Sequence, residues 1–210
     1  MELELAALDL HSRYKLLCAL VVPRPIAFVS TRGRSGIDNA APISFFNVVG
    51  DDPAAVILSI DRRTDESVKD TARNIMDTGE FVVNMVDEAL LGKMHHASDS
   101  FDAGTSEFDA CGLTRVPSRG VAPPRIGESP ASIECRLHTH VPFGRRDLFI
   151  GEGLRVHVRD GIVDPQTLRV DGGKYAPIAR LYANLYARTG DRMALEDNAY
   201  LRDLRRHGRA

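Results

Sequence analysis

The chain is expected to fold as a mainly β, α+β protein, a small antiparallel barrel, and three observations predict this. Short β-branched and aromatic runs recur along its length, and most are separated by turn-forming residues. Only one segment has strong helical periodicity, so the βαβ alternation of a parallel sheet is missing. With 210 residues, 43% of them hydrophobic, the chain can build one full-sized core. A single domain over 1–210 is expected, with its core at about 14–190 and a basic tail over 191–210.

The first strand is "PIAFVST" at 25–31, where the preceding "PRP" fixes an extended approach and excludes a helix. Its end, "TRGRSGID", reads as a hairpin turn into "NAAPISFFNVV"; no helix follows the two glycines, so it lacks the setting of a phosphate loop. "PAAVILSI" at 53–60 is a buried strand. In "TDESVKDTARNIMDTGE", Val68, Ala72, Ile75 and Met76 recur at the spacing of one buried helical face. Ser67 and Asp70 resemble a capping box, and Gly79 marks the stop.

"EFVVNMV" at 80–86 is again a strand, followed by a second helix in "DEALLGKMHHAS". Residues 98–130 are dense in Gly, Pro, Ser and Asp, a long excursion of the kind that serves function or a partner surface. "ASIECRLHTHV" and "LFIGEGLRVHVRDGIV" are further strands, the second expected to turn back through Asp160 and Gly161.

A formal charge of −2 gives no cationic field for nucleic acid or an anionic membrane. The longest apolar runs, such as "LLCALVV" at 16–22, are too short to span a bilayer, and the acidic start does not resemble a secretory signal. Cys18, Cys111 and Cys135 are odd in number and widely spaced, as in a reducing compartment, so a cytoplasmic location is expected.

No GxSxG or HExxH pattern is present, which disfavours common hydrolase chemistry. His138 and His140 share one face of a strand, but no third or fourth ligand lies nearby, so they read as structural rather than metal-binding. The start "SVKDTARNI" places Lys69 and Thr71 in a helix's first turn, where free N–H groups and the dipole favour an anion. A phosphate site and an ordinary solvated helix face fit that segment equally. "NAAPISFF" tips the balance: small residues expose the backbone, Ser44 and Asn39 offer polar contacts, and an aromatic packs beside them, as a planar heteroaromatic ligand requires. Period-two alternation sends Phe45 and Phe46 to opposite faces without saying which meets the ligand.

Taken in order, "PRPIAFVST", "NAAPISFFNVV", "DPAAVILSI", "KDTARNI", "GEFVVNMV" and "FIGEGLRVHV" resemble the flavin reductase-like, FMN-binding split-barrel family, in particular flavoredoxins and the reductase components of two-component monooxygenases. The resemblance covers about residues 14 to 190. It implies a six-stranded antiparallel Greek-key split barrel with a few flanking helices, a homodimer with flavin at the subunit interface, and a monooxygenase or other electron acceptor as partner. It implies FMN as cofactor, with FAD as a second candidate and NAD(P)H as hydride donor. Carried onto this chain, the implied flavin contacts are Ser30, Thr31, Asn39, Ala40, Ala41, Ser44, Phe45, Phe46, Lys69 and Thr71, with Arg24 and Asn74 completing the set. Because the flavin carries the chemistry, the resemblance implies no catalytic side chain. One departure concerns the donor: some family reductases carry Asp-His before the penultimate strand, whereas here Arg145, Arg146 and Asp147 stand there.

Overall fold

A computed structural model describes residues 1–101 and 104–206. After a 3-10 turn at Leu5–Ala7, the chain forms α1 (Leu10–Leu20), β1 (Arg24–Pro25), β2 (Ala27–Arg32), β3 (Asp38–Ile43), β4 (Phe46–Asp51) and β5 (Ala54–Asp61). It continues through α2 (Asp70–Thr78), β6 (Glu80–Met85), α3 (Leu91–His96), α4 (Glu107–Ala110), β7 (Arg115–Val116) and β8 (Arg125–Ile126). The long strands β9 (Ala131–Phe143) and β10 (Arg146–Val158) follow, then β11 (Ile178–Arg180), β12 (Tyr186–Arg188) and α5 (Ala199–Arg206).

The main sheet is antiparallel throughout, in the order β3-β2-β6-β9-β10-β5-β4. It has seven strands rather than the six implied by the resemblance, because the segment from Asp38 to Asp51 is interrupted at Ser44 and Phe45. Its first half pairs with β2 at one edge of the ladder and its second half with β5 at the other. One bent segment therefore joins both edges into a split barrel, and the Phe45 carbonyl still accepts from the Ser59 N–H at 2.8 Å.

Two cores flank this sheet. Inside the barrel, Val29, Phe46, Leu58, Phe81 and Phe149 meet Ala72 and Ile75 of α2. On the outer side, Phe28, Leu90, Met94, Phe108 and Ile126 pack together beneath α3 and α4. Burial on both sides explains why β2 has no polar face: residues Ala27 to Thr31 are fully covered. Gly151 is required by packing, since a Cβ there would lie 2.2 Å from Phe81 Cζ.

Several local expectations are corrected. The capping box is not made: Ser67 bonds Asp65, Asp70 pairs with Arg63 at 2.6 Å, and Lys69 is the N-cap without a side-chain bond. Ala72 and Ile75 are buried as expected, but Met76 is 38% exposed because the barrel receives only the Val68, Ala72 and Ile75 side of the helix. Gly79 ends α2 in the left-handed conformation, φ 72°, as read from sequence. The second helix shrinks to Leu91–His96. The turn at Asp160 and Gly161 forms, yet leads only to a bridge between Val163 and Val170 and not to a strand paired with β10. Not foreseen were α1, N-capped by Asp9 on the Ser12 N–H, and the order within the 98–130 excursion.

Candidate functional site

The break in the strand decides the geometry. Because Ser44 and Phe45 form a bend, alternation slips by one residue, and Ile43 and Phe46 both turn to the barrel core. Phe45 is left outside, in a cleft of about 200 Å3 lined by Tyr14, Pro42, Ile43, Ser44, Ser59, Ile60, Asp61, Lys69 and Arg146. Its ring stacks with Tyr14 at 6.2 Å and 23°, and the Arg146 guanidinium lies 4.3 Å from its centroid. Arg146 is anchored to the Ser59 carbonyl and Asp61, each at 3.2 Å. Burial raises the Tyr14 pKa, and the nearby Cys18 reinforces the shift.

At the end of this cleft marked by Lys69, α2 begins. Lys69 is exposed and makes no ion pair among the described residues, and no side chain caps the first-turn N–H groups. Thr71, in the first turn, is buried and lies 2.9 Å from the Asn39 amide. A second bond, Asn74 Nδ2 to Thr31 Oγ1 at 3.0 Å, ties the same helix to β2. The structure thus brings Thr31, Asn39, Thr71 and Asn74 into one polar cluster beside Lys69, with Ala40 and Ala41 next in β3.

Two expected contacts are placed otherwise. Ser30 is fully buried on the outer side, donating to the Pro124 carbonyl at 2.6 Å and accepting from Asn84 at 3.0 Å. Arg24 donates to the carbonyls of Cys18, Val21 and Leu181, and its buried Nε has no partner among the described residues. Its guanidinium still lies 6.0 Å from the Phe45 ring.

Sequence reasoning missed Glu107. It lies in the 98–130 excursion, which returns to β3: Ser106 Oγ donates to the Asp38 carbonyl and Glu107 accepts from the Ala40 N–H at 3.1 Å. With the Asn39 amide oriented to satisfy both ends, Nδ2 donates to the Glu107 carboxylate at 3.2 and 3.3 Å while Oδ1 accepts from Thr71 at 2.9 Å. Burial raises the Glu107 pKa above the ordinary carboxylate value, and the negative charge of Asp70 adds to the rise. The "SEFDA" text carries a helix-start signal, but nothing in it indicates which strand the acid meets.

His140 is held by Asp147 at 2.8 Å and stacks on Phe149 at 4.9 Å, a structural setting that uses the Asp147 of the "RRD" turn. All three cysteines are buried and free. Burial pushes the Cys135 thiol up to about 12 and raises Cys111 as well, which leaves neither poised as a nucleophile.

Residues 19–179 match the sequence model described as "Flavin reductase like domain". An uncharacterised protein of Aquifex aeolicus is 44% identical, over 90% of this chain and 95% of its own length. Among solved structures, the 2-nitrobenzoate 2-nitroreductase of Pseudomonas fluorescens is similar with a TM-score of 0.88 and 34% identity, covering 96% of this chain and 98% of that one. Nitrilotriacetate monooxygenase component B from Bacillus cereus matches at TM-score 0.88 and 30% identity, over 93% and 98% of the two chains.

Proposed function

The chain belongs to the flavin reductase-like family, and from that premise we propose that it is an FMN-dependent NAD(P)H:flavin oxidoreductase delivering reduced flavin or electrons to an acceptor. The observation that carries this reading is the junction at Lys69, where an uncapped, basic helix start opens onto an aromatic cleft. A flavin mononucleotide has the matching parts, an anionic phosphate at one end and a planar ring at the other.

Lys69 would neutralise the phosphate, and the N–H groups and Thr71 hydroxyl of α2 would bond its oxygens. Asn39, Ala40, Ala41 and Ser44 would offer polar contacts and close backbone approach, and Phe45 an apolar wall. Phe46 would support the wall from within the core. Arg146, fixed by Asp61, keeps a positive charge beside the cleft. Bound flavin would accept a hydride and pass electrons on. The protein's own contribution is binding, orientation and exclusion of water, with no acid or base side chain required.

The monooxygenase component among the similar structures supports a partner enzyme as acceptor, and the nitroreductase supports a small aromatic one. A homodimer fits the apolar outer side of α1, where Leu10, Leu17 and Leu20 are exposed. One domain spanning the chain fits the continuous barrel, and three buried free thiols fit the cytoplasm. No described helix is long and apolar enough to cross a membrane.

The purified protein should show flavin absorbance, or acquire it with FMN in preference to FAD, and bleach anaerobically with NADH or NADPH. A flavin-loaded protein that neither nucleotide bleaches would be an electron carrier instead. One that takes up no flavin would refute the proposal.

A further inference from the structure

Resting on the flavin reading, we infer that Glu107 is a positioning residue whose proton controls how the first turn of α2 receives a phosphate, acting through the Asn39 amide and the Thr71 hydroxyl. Thr71 has a single hydroxyl proton and is only 3% exposed, so where that proton points decides what the hydroxyl can offer. When Glu107 is ionised it only accepts: the Ala40 N–H and Asn39 Nδ2 both donate to it. Asn39 then presents Oδ1 to Thr71, and the threonine proton is committed to that oxygen at 2.9 Å.

Adding one proton to Glu107 reverses the chain. The carboxyl O–H donates to Asn39 Oδ1 and its other oxygen keeps the Ala40 N–H. The rotated amide donates through Nδ2 to Thr71 Oγ1 across the same 2.9 Å contact. The Thr71 proton is released and is free to donate to a phosphate oxygen. Glu107, the Asn39 amide and the Ala40 N–H remain bonded in both states, and only the Thr71 proton is left to seek an acceptor. Charge acts in the same direction, since an ionised carboxylate beside the helix start opposes a phosphate that Lys69 attracts.

Among the described residues, few charged groups lie around Glu107. Asp70 of α2 and the Cys111 thiol after α4 both couple to it. Asp38 of β3 is neutralised by Arg32 at 2.7 Å and by Arg115 at 3.0 Å, and Arg115 also binds Asp109 of α4. Asp70 is paired with Arg63 at 2.6 Å, so among the described residues Glu107 is the facing carboxyl without a cationic partner.

The test is the ratio of FMN to riboflavin affinity, which isolates the phosphate, measured by quenching of flavin fluorescence from about pH 5 to about pH 8. In the wild-type protein the ratio should fall with rising pH, by at most about tenfold per unit for one coupled proton. The phosphate's own ionisation near pH 6 favours binding as pH rises, so it cannot produce this sign. Glu107→Gln, whose amide can donate as the protonated acid does, should remove the fall and keep the high ratio throughout. A wild-type ratio that is flat or rises with pH overturns the inference, as does an unchanged fall in Glu107→Gln. If that variant does not fold, the wild-type profile decides. Failure to bind either flavin would instead overturn the flavin reading itself.

Discussion

At the scale of residues, two adjacent phenylalanines have been given opposite tasks by one backbone bend. Phe46 is 9% exposed inside the barrel, whereas Phe45 is a wall of the cleft. Phe46→Ala should therefore lower stability by about 3–5 kcal/mol in chemical denaturation, the range for large core truncations. Phe45→Ala should cost much less stability and weaken flavin binding instead. Equal stability losses in the two variants would contradict the assignment. Lys69 has no ion-pair partner among the described residues, so Lys69→Ala should leave folding intact. It should weaken FMN binding by on the order of 1–3 kcal/mol, the scale of a charge-assisted hydrogen bond, and leave riboflavin unaffected. Unchanged FMN affinity in a titration would remove the phosphate from this helix start.

Among elements, the 98–130 excursion is bound to the sheet by Glu134, which is fully buried in β9. Its carboxylate accepts from the N–H groups of Arg119 at 2.8 Å and Gly120 at 2.6 Å, and from His157 at 2.5 Å. Burial alone would raise its pKa, but these donors outweigh burial and hold it below the ordinary carboxylate value. The clamp is thus fully present above the pKa of an unfolded glutamate, about 4.3, and is lost as pH falls through the lower folded value. Glu134→Ala should destabilise by about 1–3 kcal/mol for each N–H left unbonded, and hydrogen exchange should rise first at residues 117–124. Protection there that matches the wild type would show that the excursion is held by other contacts.

This excursion also marks where sequence reading stops. The barrel strands, α2 and its Gly79 stop are local facts, written in β-branched runs, in a helical period and in a left-handed glycine. The bend at Ser44 is not local: it depends on β2 and β5 lying at the two edges that one segment must reach. For the same reason Glu107 could not be linked to Asn39, since they are brought together by a turn of chain far longer than any motif. Of the expected site, Asn39, Ala40, Thr71 and Lys69 converge with Ser44 and Phe45 close by. Ser30 does not, because burial on both faces of β2 gives its hydroxyl to Pro124.

For the whole molecule, the exposed side of α1 is the feature a lone subunit leaves unexplained. Leu10 is 63% and Leu20 70% exposed, while Cys18 is the helix's buried side chain. Tyr14 of the same helix lines the cleft, so a second subunit covering α1 would also border the ligand site. Leu20→Asp should shift the protein from dimer to monomer in light scattering and lower flavin affinity with it. A wild-type protein that is monomeric at all concentrations would exclude this arrangement.

The segment shared by both barrel edges has a kinetic consequence. The β2–β3, β4–β5 and β9–β10 pairs are hairpins with short connections, which can form early and separately. The pairing of β5 with β10 joins residues about ninety positions apart and must wait until the intervening chain has been arranged. Ser44 and Phe45 arrive on one side of that seam, Ser59 to Asp61 run along it, and Arg146 lies across it. The cleft therefore comes into existence in the step that closes the ring, so a chain arrested before closure would hold most of its hairpins and have nowhere to receive the ring of a flavin.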